Sequence, residues 1–533
     1  VSYAIDFGTS NTVITRWNAA TEQAEIVKLA GFAQQIGNNP PLIPSLVYVD
    51  DASHSQVTVG QAVRDRGLDL ASDPRCFRSF KRGIGAEIQG FLPELDEKVM
   101  TFEQVGEWFL GTLIERLQQD TAEPLDSLVL TVPVDSFEAY RHWLTQVCQT
   151  WAVEQVRLLD EPTAAALGYG TADEQLLLVV DFGGGTLDLS LVQLELSGKN
   201  RQQTQGFILK WGDKLFGANS GQKTKRVRVL AKAGANLGGS DLDNWLVDYF
   251  ANVQGVPKSS AIAQLAERLK IQLSSQSQAT EVYFDDQTFD SYPLDLDRET
   301  FETILTRQRF FEQLDELMAQ VLQQARRNGV EATDIEAVLL VGGTVQIPAV
   351  QNWVKQYFDA AKVRCDRPFE AIAIGALQLA QGFELRDFLY HSYGIRYWNR
   401  RKNCHSWHPI VKAGQPYPMQ NPVTLTLGAS VENQPSLELI IGELGAETGT
   451  TEVYFEGDRL VTRSLETGET AVKPLNDREG ARTLAQLNPP GYPGSDRVKL
   501  EFWVDEQRFL RITVEDLFTK NILLNRQIVA QLS

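Results

Sequence analysis

The sequence predicts an α/β domain followed by an all-β sandwich, and three observations carry that reading. A short apolar strand that ends in Asp and runs into a glycine turn occurs twice in the first half of the chain. Over residues 1–190 short β runs alternate with helical stretches, as in the strand pattern at 127–132 and the helical pattern at 138–152, which suits an α/β lobe. From about Tyr393 the pattern changes to short strands at 422–431, 437–442, 451–455, 459–464, 498–505, 509–515 and 522–531. Stretches such as Asn488-Pro489-Pro490-Gly491-Tyr492-Pro493-Gly494 separate them. At 533 residues the chain is too long for one core, and 43% hydrophobic residues suffice for two or more.

The repeated element reads Ala4-Ile5-Asp6-Phe7-Gly8-Thr9-Ser10-Asn11 in its first copy and Val179-Val180-Asp181-Phe182-Gly183-Gly184-Gly185-Thr186-Leu187-Asp188 in its second. Glycines let backbone N–H groups converge on phosphate oxygens, and a strand-end carboxylate can hold a hydrated Mg²⁺ facing the same phosphates. One copy is an ordinary strand and turn; two in matched order point to a nucleotide clamped between two lobes. A third apolar strand, Ala337-Val338-Leu339-Leu340-Val341, enters Gly342-Gly343-Thr344, and Gly238-Gly239 and Leu158-Leu159-Asp160-Glu161-Pro162-Thr163 complete the set.

These five elements in this order resemble the actin-like ATPase superfamily, with its two RNase H-like lobes. More narrowly, the chain resembles the 70-kilodalton heat-shock chaperones of the DnaK type. The resemblance implies an ATPase domain at 1–383, a linker at 384–392 and a β-sandwich, substrate-binding-like domain at 393–533. It also implies ATP/ADP and Mg²⁺ as cofactors. Asp6, Asp181 and Glu161 would hold the ion through waters, Lys81 of Phe80-Lys81-Arg82-Gly83 would reach the terminal phosphate and the attacking water, and Thr186 would act beside them. Gly8, Thr9, Ser10, Asn11, Gly183, Gly184, Gly185, Gly238, Gly239, Gly342 and Gly343 would surround the phosphates. Glu267, Lys270 and Ser274, on one helical face, would hold the nucleoside. Thr131-Val132-Pro133 with Arg141 resembles the family's proline switch, while Pro133 also reads as a simple strand terminator.

The departures are specific. Ile271 and Gln346 stand where the family has two arginines that stack on adenine, and each lost stack costs about 0.5–2 kcal/mol. Weaker binding or faster exchange is the expectation. Residues 199–232 form a long excursion with nine Lys/Arg against one Asp, read as a solvated hairpin insertion or a basic contact surface. Within it, Gly217-Ala218-Asn219-Ser220-Gly221-Gln222-Lys223-Thr224 imitates a P-loop with one residue too many before the lysine. The 241–330 segment reads as helical, with a β interruption near 280–284. Its stripes of Ile262, Leu265, Leu269 and Leu273 and of Leu314, Leu317, Val321 and Ala325 read as core. No helical lid is expected after the last strand pattern, whereas the family usually continues into one.

A formal charge of −19 disfavours nucleic-acid or anionic-membrane binding. Cys76, Cys148, Cys365 and Cys404 have no zinc or disulfide spacing, no run is long enough to span a membrane, and a cytoplasmic location is expected. The implied function is an ATP-dependent chaperone whose partners are extended apolar client polypeptides, with co-chaperones possible. The alternative is a nucleotide-regulated scaffold or co-chaperone for one dedicated partner. A sugar-kinase-type enzyme or a filament-forming relative fits less well, because neither has a place for the β-sandwich.

Overall fold

The structure is a computed structural model. It describes residues 2–35, 39–69, 73–86, 88–90, 92–120, 125–133, 138–151, 153, 155–170, 176–196, 204–205, 225–285, 288–380, 385–386, 392–399, 404–412, 415, 417–419, 421–444, 450–456, 459–465, 472–476, 483–505 and 508–532. The chain falls into two compact units. One is Val1–Leu385 with Thr451–Ser464, and the other is Arg386–Thr450 with Leu465–Ser533.

Tyr3, Ala4, Ile5 and Phe7 are all buried, so the first strand has apolar partners on both faces and belongs at the centre of a sheet. It does so as Ser2–Phe7, flanked by Asn11–Asn18 and then Gln23–Ile26 on one side, antiparallel, and by Ser127–Val132 and then Gln155–Asp160 on the other, parallel. The second sheet repeats this order. Leu176–Phe182 is central, with Leu187–Leu196 and Lys225–Ala235 antiparallel on one side and Ala337–Val341 and Val363–Arg364 parallel on the other. Strands buried along their whole length, Ser127–Val132 and Ala337–Val341, occupy the parallel halves. The repeat in the sequence is therefore a repeat of topology, two lobes of one design, as expected.

A core that draws on both sheets joins the lobes. Ala4, Val129 and Leu159 of the first sheet and Leu177, Val179, Leu339 and Val341 of the second meet Ala164, Ala165 and Ala166 of the Glu161–Gly168 helix and Ala371, Ala376 and Leu377 of the Ala371–Ala380 helix. The two helices touch backbone to backbone: a Cβ on Gly168 would lie 1.8 Å from the carbonyl oxygen of Ala371, and one on Gly375 would lie 1.8 Å from that of Ala164. The second lobe continues into the helices Gly239–Gln254, Ser260–Ser275, Arg298–Arg307 and Phe310–Arg327. The β interruption is a complete hairpin, Gln278–Phe284 with Ser291–Asp297. Both helical stripes read from the sequence are buried there.

Among the described residues the second unit is all β and no helix follows Ala380. Alternation drives it: in Asp496–Val504 the residues Val498, Leu500, Phe502 and Val504 are buried, and Leu510, Ile512 and Val514 answer them from Phe509–Asp516. Those strands lie in the sheet Val423–Gly428, Asp496–Val504, Phe509–Asp516, Ile522–Gln531. A second sheet orders Cys404–Val411, Ser392–Asn399, Ile441–Leu444 and Val472–Pro474, and one core cluster takes side chains from both.

Several boundaries differ from the sequence reading. The 437–442 run is two strands in different sheets, Gln434–Leu439 and Ile441–Leu444. The proline-rich stretch read as a separator begins inside the strand Thr483–Gly491, which among the described residues pairs only with Gln434–Leu439, so its prolines need no second partner there. Cys404–Val411 carries Pro409 and polar residues because it is an edge strand. The Thr451–Ser464 segment, grouped by sequence with the β domain, packs in the first unit, where Glu452 and Val453 pair with Ile88 and Gln89. The excursion begins as an antiparallel ladder ending at Leu196 opposite Lys225. The P-loop-like residues, and all of 384–392 except Leu385, Arg386 and Ser392, lie outside the described residues.

Gly375→Ala is expected to destabilise the first unit by about 1–3 kcal/mol, because a methyl group must displace the Ala164 backbone rather than a side chain. A urea-unfolding midpoint equal to that of the wild type would show that the two helices separate at no cost.

Candidate functional site between the two lobes

The two glycine turns meet face to face. Gly8 allows the first: a Cβ there would sit 2.2 Å from the Asn11 carbonyl oxygen. The Ser45 hydroxyl donates to the Gly8 carbonyl at 2.7 Å and the Ser45 amide to that of Ser10 at 2.9 Å, which fixes the turn from outside. In the second turn the Gly183 amide bonds the Thr186 carbonyl at 3.0 Å. Across the gap, a Cβ on Gly184 would lie 2.0 Å from Ser10 Oγ and one on Gly185 would lie 2.7 Å from Thr9 Oγ1.

The other glycine elements close on the second turn. Gly239 and Ser240, opening the Gly239–Gln254 helix, donate their amides to the carbonyls of Gly183 and Gly184 at 3.0 and 2.8 Å. Gly342, at φ +85°, runs so close to Phe182 that a Cβ would come 2.3 Å from its carbonyl oxygen, and Thr344 Oγ1 donates to Gly183 O at 2.8 Å. The result is a cavity of about 190 Å³ where these turns meet.

Asp6, Gly8, Thr9, Ser10, Asn11, Lys81, Glu161, Asp181, Gly183, Gly184, Thr186, Gly239, Glu267, Lys270, Ser274, Gly342 and Gly343 line that one cavity. Gly185 and Gly238 do not; they lie in the turn contacts, Gly238 against the Gly184 backbone and Gly185 against Thr9 and Arg82. Ile271 and Gln346 are in the wall as well. Sequence reasoning missed Arg64, whose guanidinium is 3.5 Å from Glu267, and Phe369, whose ring edge would meet a Cβ on Gly343 at 3.1 Å. Phe369 carries no local signal, since it comes from the turn before the Ala371–Ala380 helix.

Lys81 sits on the short helical turn Phe80–Gly83. Its Nζ donates to the Phe7 carbonyl at 2.5 Å, lies 3.4 Å from Glu161 Oε1, and is 5.4 Å from the Phe7 ring centroid. Neighbouring residues bind this segment to the second lobe: Arg82 pairs with Asp241 at 3.1 Å, and the Ser79 and Ser240 hydroxyls are 3.1 Å apart. Lys270 donates to the Gly239 carbonyl at 2.8 Å and pairs with Asp243 at 2.7 Å. Burial pushes Asp243 up to about 7, against the pull of that ammonium.

Charge is unbalanced at the carboxylate end. Burial raises Asp6, although the Thr131 hydroxyl, donating at 2.7 Å, and Lys81 both favour its ionised form. Burial pushes Glu161 up to about 7 against Lys81. Burial and then the charges of Glu161, Asp188 and Asp6 hold Asp181 well above the carboxylate range. For Lys81, burial favours loss of the proton, but Glu161 first, and then Tyr140, Asp6 and Asp181, outweigh it and raise the group above its ordinary value. Among the described residues no three His, Cys, Asp or Glu side chains converge as a direct metal-ligand set. The carboxylate oxygens of Asp6, Glu161 and Asp181 around open space suit a hydrated hard cation better than a dehydrated one.

Two lobes of one topology, closing paired glycine turns on a carboxylate-lined cavity, define the actin-like ATPase fold. The model of the Hsp70 protein family matches residues 85–206 and 223–395, more than half of the chain, and the chain belongs to that family. Members of the family are ATPases that bind Mg-ATP. No helix among the described residues is long and apolar enough to cross a membrane.

Asp181→Asn is expected to stabilise the protein in Mg²⁺-free buffer by about 0.5–2 kcal/mol, because the buried charge is costly without a cation. Its pKa is raised on folding, so the penalty is absent below about pH 4 and grows as pH rises; the gain from Asn grows with it. Thermal unfolding at pH 5 and pH 8 checks both, and a destabilised variant at pH 8 would show that the carboxylate is already balanced.

Proposed function

We propose that this chain is an ATP-dependent chaperone-like protein in which Mg-ATP hydrolysis in the first unit governs the binding of extended apolar polypeptide segments by the second. The observation that carries the reading is the convergence of both glycine turns, Lys81 and three carboxylates on one cavity in a chain of the Hsp70 family. The donor set fits the cofactors. Asp6, Asp181 and Glu161 would hold Mg²⁺ through waters, and when bound the ion offsets charge on the phosphates.

This chain's own groups do the rest. The amides of the two turns and the hydroxyls of Thr9, Ser10 and Thr186 bind phosphate oxygens, and Lys81 places a fixed positive charge where the terminal phosphate lies. Glu267, Lys270 and Ser274 hold the nucleoside. Ile271 and Gln346 in place of two arginines leave Phe369 as the aromatic side chain in the cavity wall, and it supplies a face for the base. The 384–392 connector joins the two activities. Antiparallel sheets suit clients bound by main-chain hydrogen bonds and alternate side-chain pockets. The substitutions at the base end also favour a second reading, a scaffold for one dedicated partner in which nucleotide turnover is incidental.

The deciding experiment follows a fluorescent extended apolar peptide leaving the full chain under saturating ATP and then ADP. Coupled sites of the usual strength predict about 5–150-fold weaker peptide affinity with ATP, read as faster dissociation, and retention of that difference at the moment of mixing in Lys81→Ala, which turns ATP over about 10²–10³-fold more slowly. Equal off-rates favour the scaffold. Separately, Phe369→Ala is expected to weaken ATP binding by about 2–13-fold while leaving the affinity for inorganic triphosphate unchanged, as loss of an aromatic face predicts. Equal losses for both ligands would place Phe369 outside base recognition.

A further inference from the structure

The Glu138–Gln149 helix brings one more side chain to the catalytic end of the cavity. Tyr140 is 4% exposed, its ring packs on Trp143 with centroids 5.5 Å apart, and Lys81 Nζ lies 5.9 Å from its ring centroid. Lys81 is thus held by two aromatic rings, those of Phe7 and Tyr140, as well as by the Phe7 carbonyl and Glu161. Tyr140 itself lies behind the cavity wall.

Its hydroxyl is buried and makes no hydrogen bond among the described residues. Such a group costs the folded state, and a phenylalanine would fill the same space without that cost. Burial pushes the hydroxyl up to about 12, so it keeps its proton and can donate; Lys81, Glu161 and Asp6 are the charges it feels. Glu161, meanwhile, has Lys81 as its cationic partner. A terminal phosphate entering the cavity competes for Lys81, and a buried carboxylate deprived of its cation needs another donor.

We infer that Tyr140 is a positioning residue for the hydrolytic step, its free hydroxyl donating to Glu161 once the terminal phosphate has drawn Lys81 away. The Tyr140 hydroxyl is then half of a hydrogen bond that forms when nucleotide is bound. The bond keeps the Glu161 carboxylate oriented toward the cavity while Lys81 is engaged elsewhere. Stabilisation that appears only in the reacting complex lowers the barrier without tightening ground-state binding. This inference rests on the proposed ATPase reading.

Tyr140→Phe in the full chain keeps the ring and removes the hydroxyl. Three quantities are read: the single-turnover rate of Mg-ATP hydrolysis, the dissociation constant for Mg-ATP, and the unfolding temperature without nucleotide. The expected result is a rate lower by about tenfold or more, as for loss of a hydrogen bond to a charged group, with ATP affinity within about twofold of the wild type and an unfolding temperature equal or higher. A rate within about twofold of the wild type overturns the inference. So does a lower rate accompanied by a lower unfolding temperature, which marks a packing role. Tyr140→Leu guards against a ring-specific effect: it must hydrolyse no faster than Tyr140→Phe. A wild-type chain that does not turn over ATP defeats the underlying reading and this inference with it, and that failure shows before any substitution is made.

Discussion

The whole site depends on chain segments meeting where no Cβ can fit. Gly238 lies against the Gly184 backbone, Gly342 against the Phe182 backbone and Gly184 against the Ser10 side chain, each at a separation that a Cβ would violate by about an ångström or more. Those approaches bring four separate chain segments to the wall of one cavity. Glycines at such positions cost conformational entropy on folding, about 0.5–1 kcal/mol each relative to alanine in regular structure. The apolar core shared by the two sheets offsets that cost, and the small residues of the Glu161–Gly168 helix let it come equally close to the Ala371–Ala380 helix. The same device, absent side chains, therefore operates at the site and at its support.

Electrostatics pull in the opposite direction. Three carboxylates, Glu161 buried and Asp6 and Asp181 partly so, share one ammonium, and removal from water raises each of them. A domain selected only for stability would not place them together; such clusters persist where a cation and a polyphosphate complete the charge balance. Lys81 is also tied mechanically. Its neighbours Arg82 and Ser79 are bound to Asp241 and Ser240 at the start of a second-lobe helix, while Lys81 itself holds the Phe7 carbonyl of the first lobe. Any change in lobe closure therefore moves the cation relative to the carboxylates, which links the geometry of the cleft to its chemistry.

Much of this was legible in the sequence because it is written in local patterns. Asp6-Phe7-Gly8 and Asp181-Phe182-Gly183 announce the central strands of two like sheets, and glycine pairs announce close approach. The helical stripe Ile262, Leu265, Leu269, Leu273 is buried as its spacing required. What stayed hidden is what tertiary contact alone creates. Phe369 and Arg64 reach the cavity from segments with no motif, and Tyr140 is an unremarked aromatic on an amphipathic helix. In the β unit, strands with clear alternation, such as Asp496–Val504, were found, whereas Cys404–Val411 and Thr483–Gly491 carry prolines and polar residues that only a position beside a single partner strand permits.

The family match begins at residue 85, beyond the first glycine turn and beyond Lys81, yet the first turn is the structural counterpart of the second. The likeness of the two turns is one of backbone: each is a strand-end Asp followed by Phe and a glycine turn on the central strand of its sheet. Elsewhere the cavity wall is made of side-chain faces, among them those of Ile271, Gln346 and Phe369. A stack on a neutral ring lacks the cation's attraction for the π face but also lacks its desolvation cost. Under the proposed ATPase reading, Ile271 and Gln346 therefore bear on base affinity and nucleotide release rather than on contacts to the phosphates.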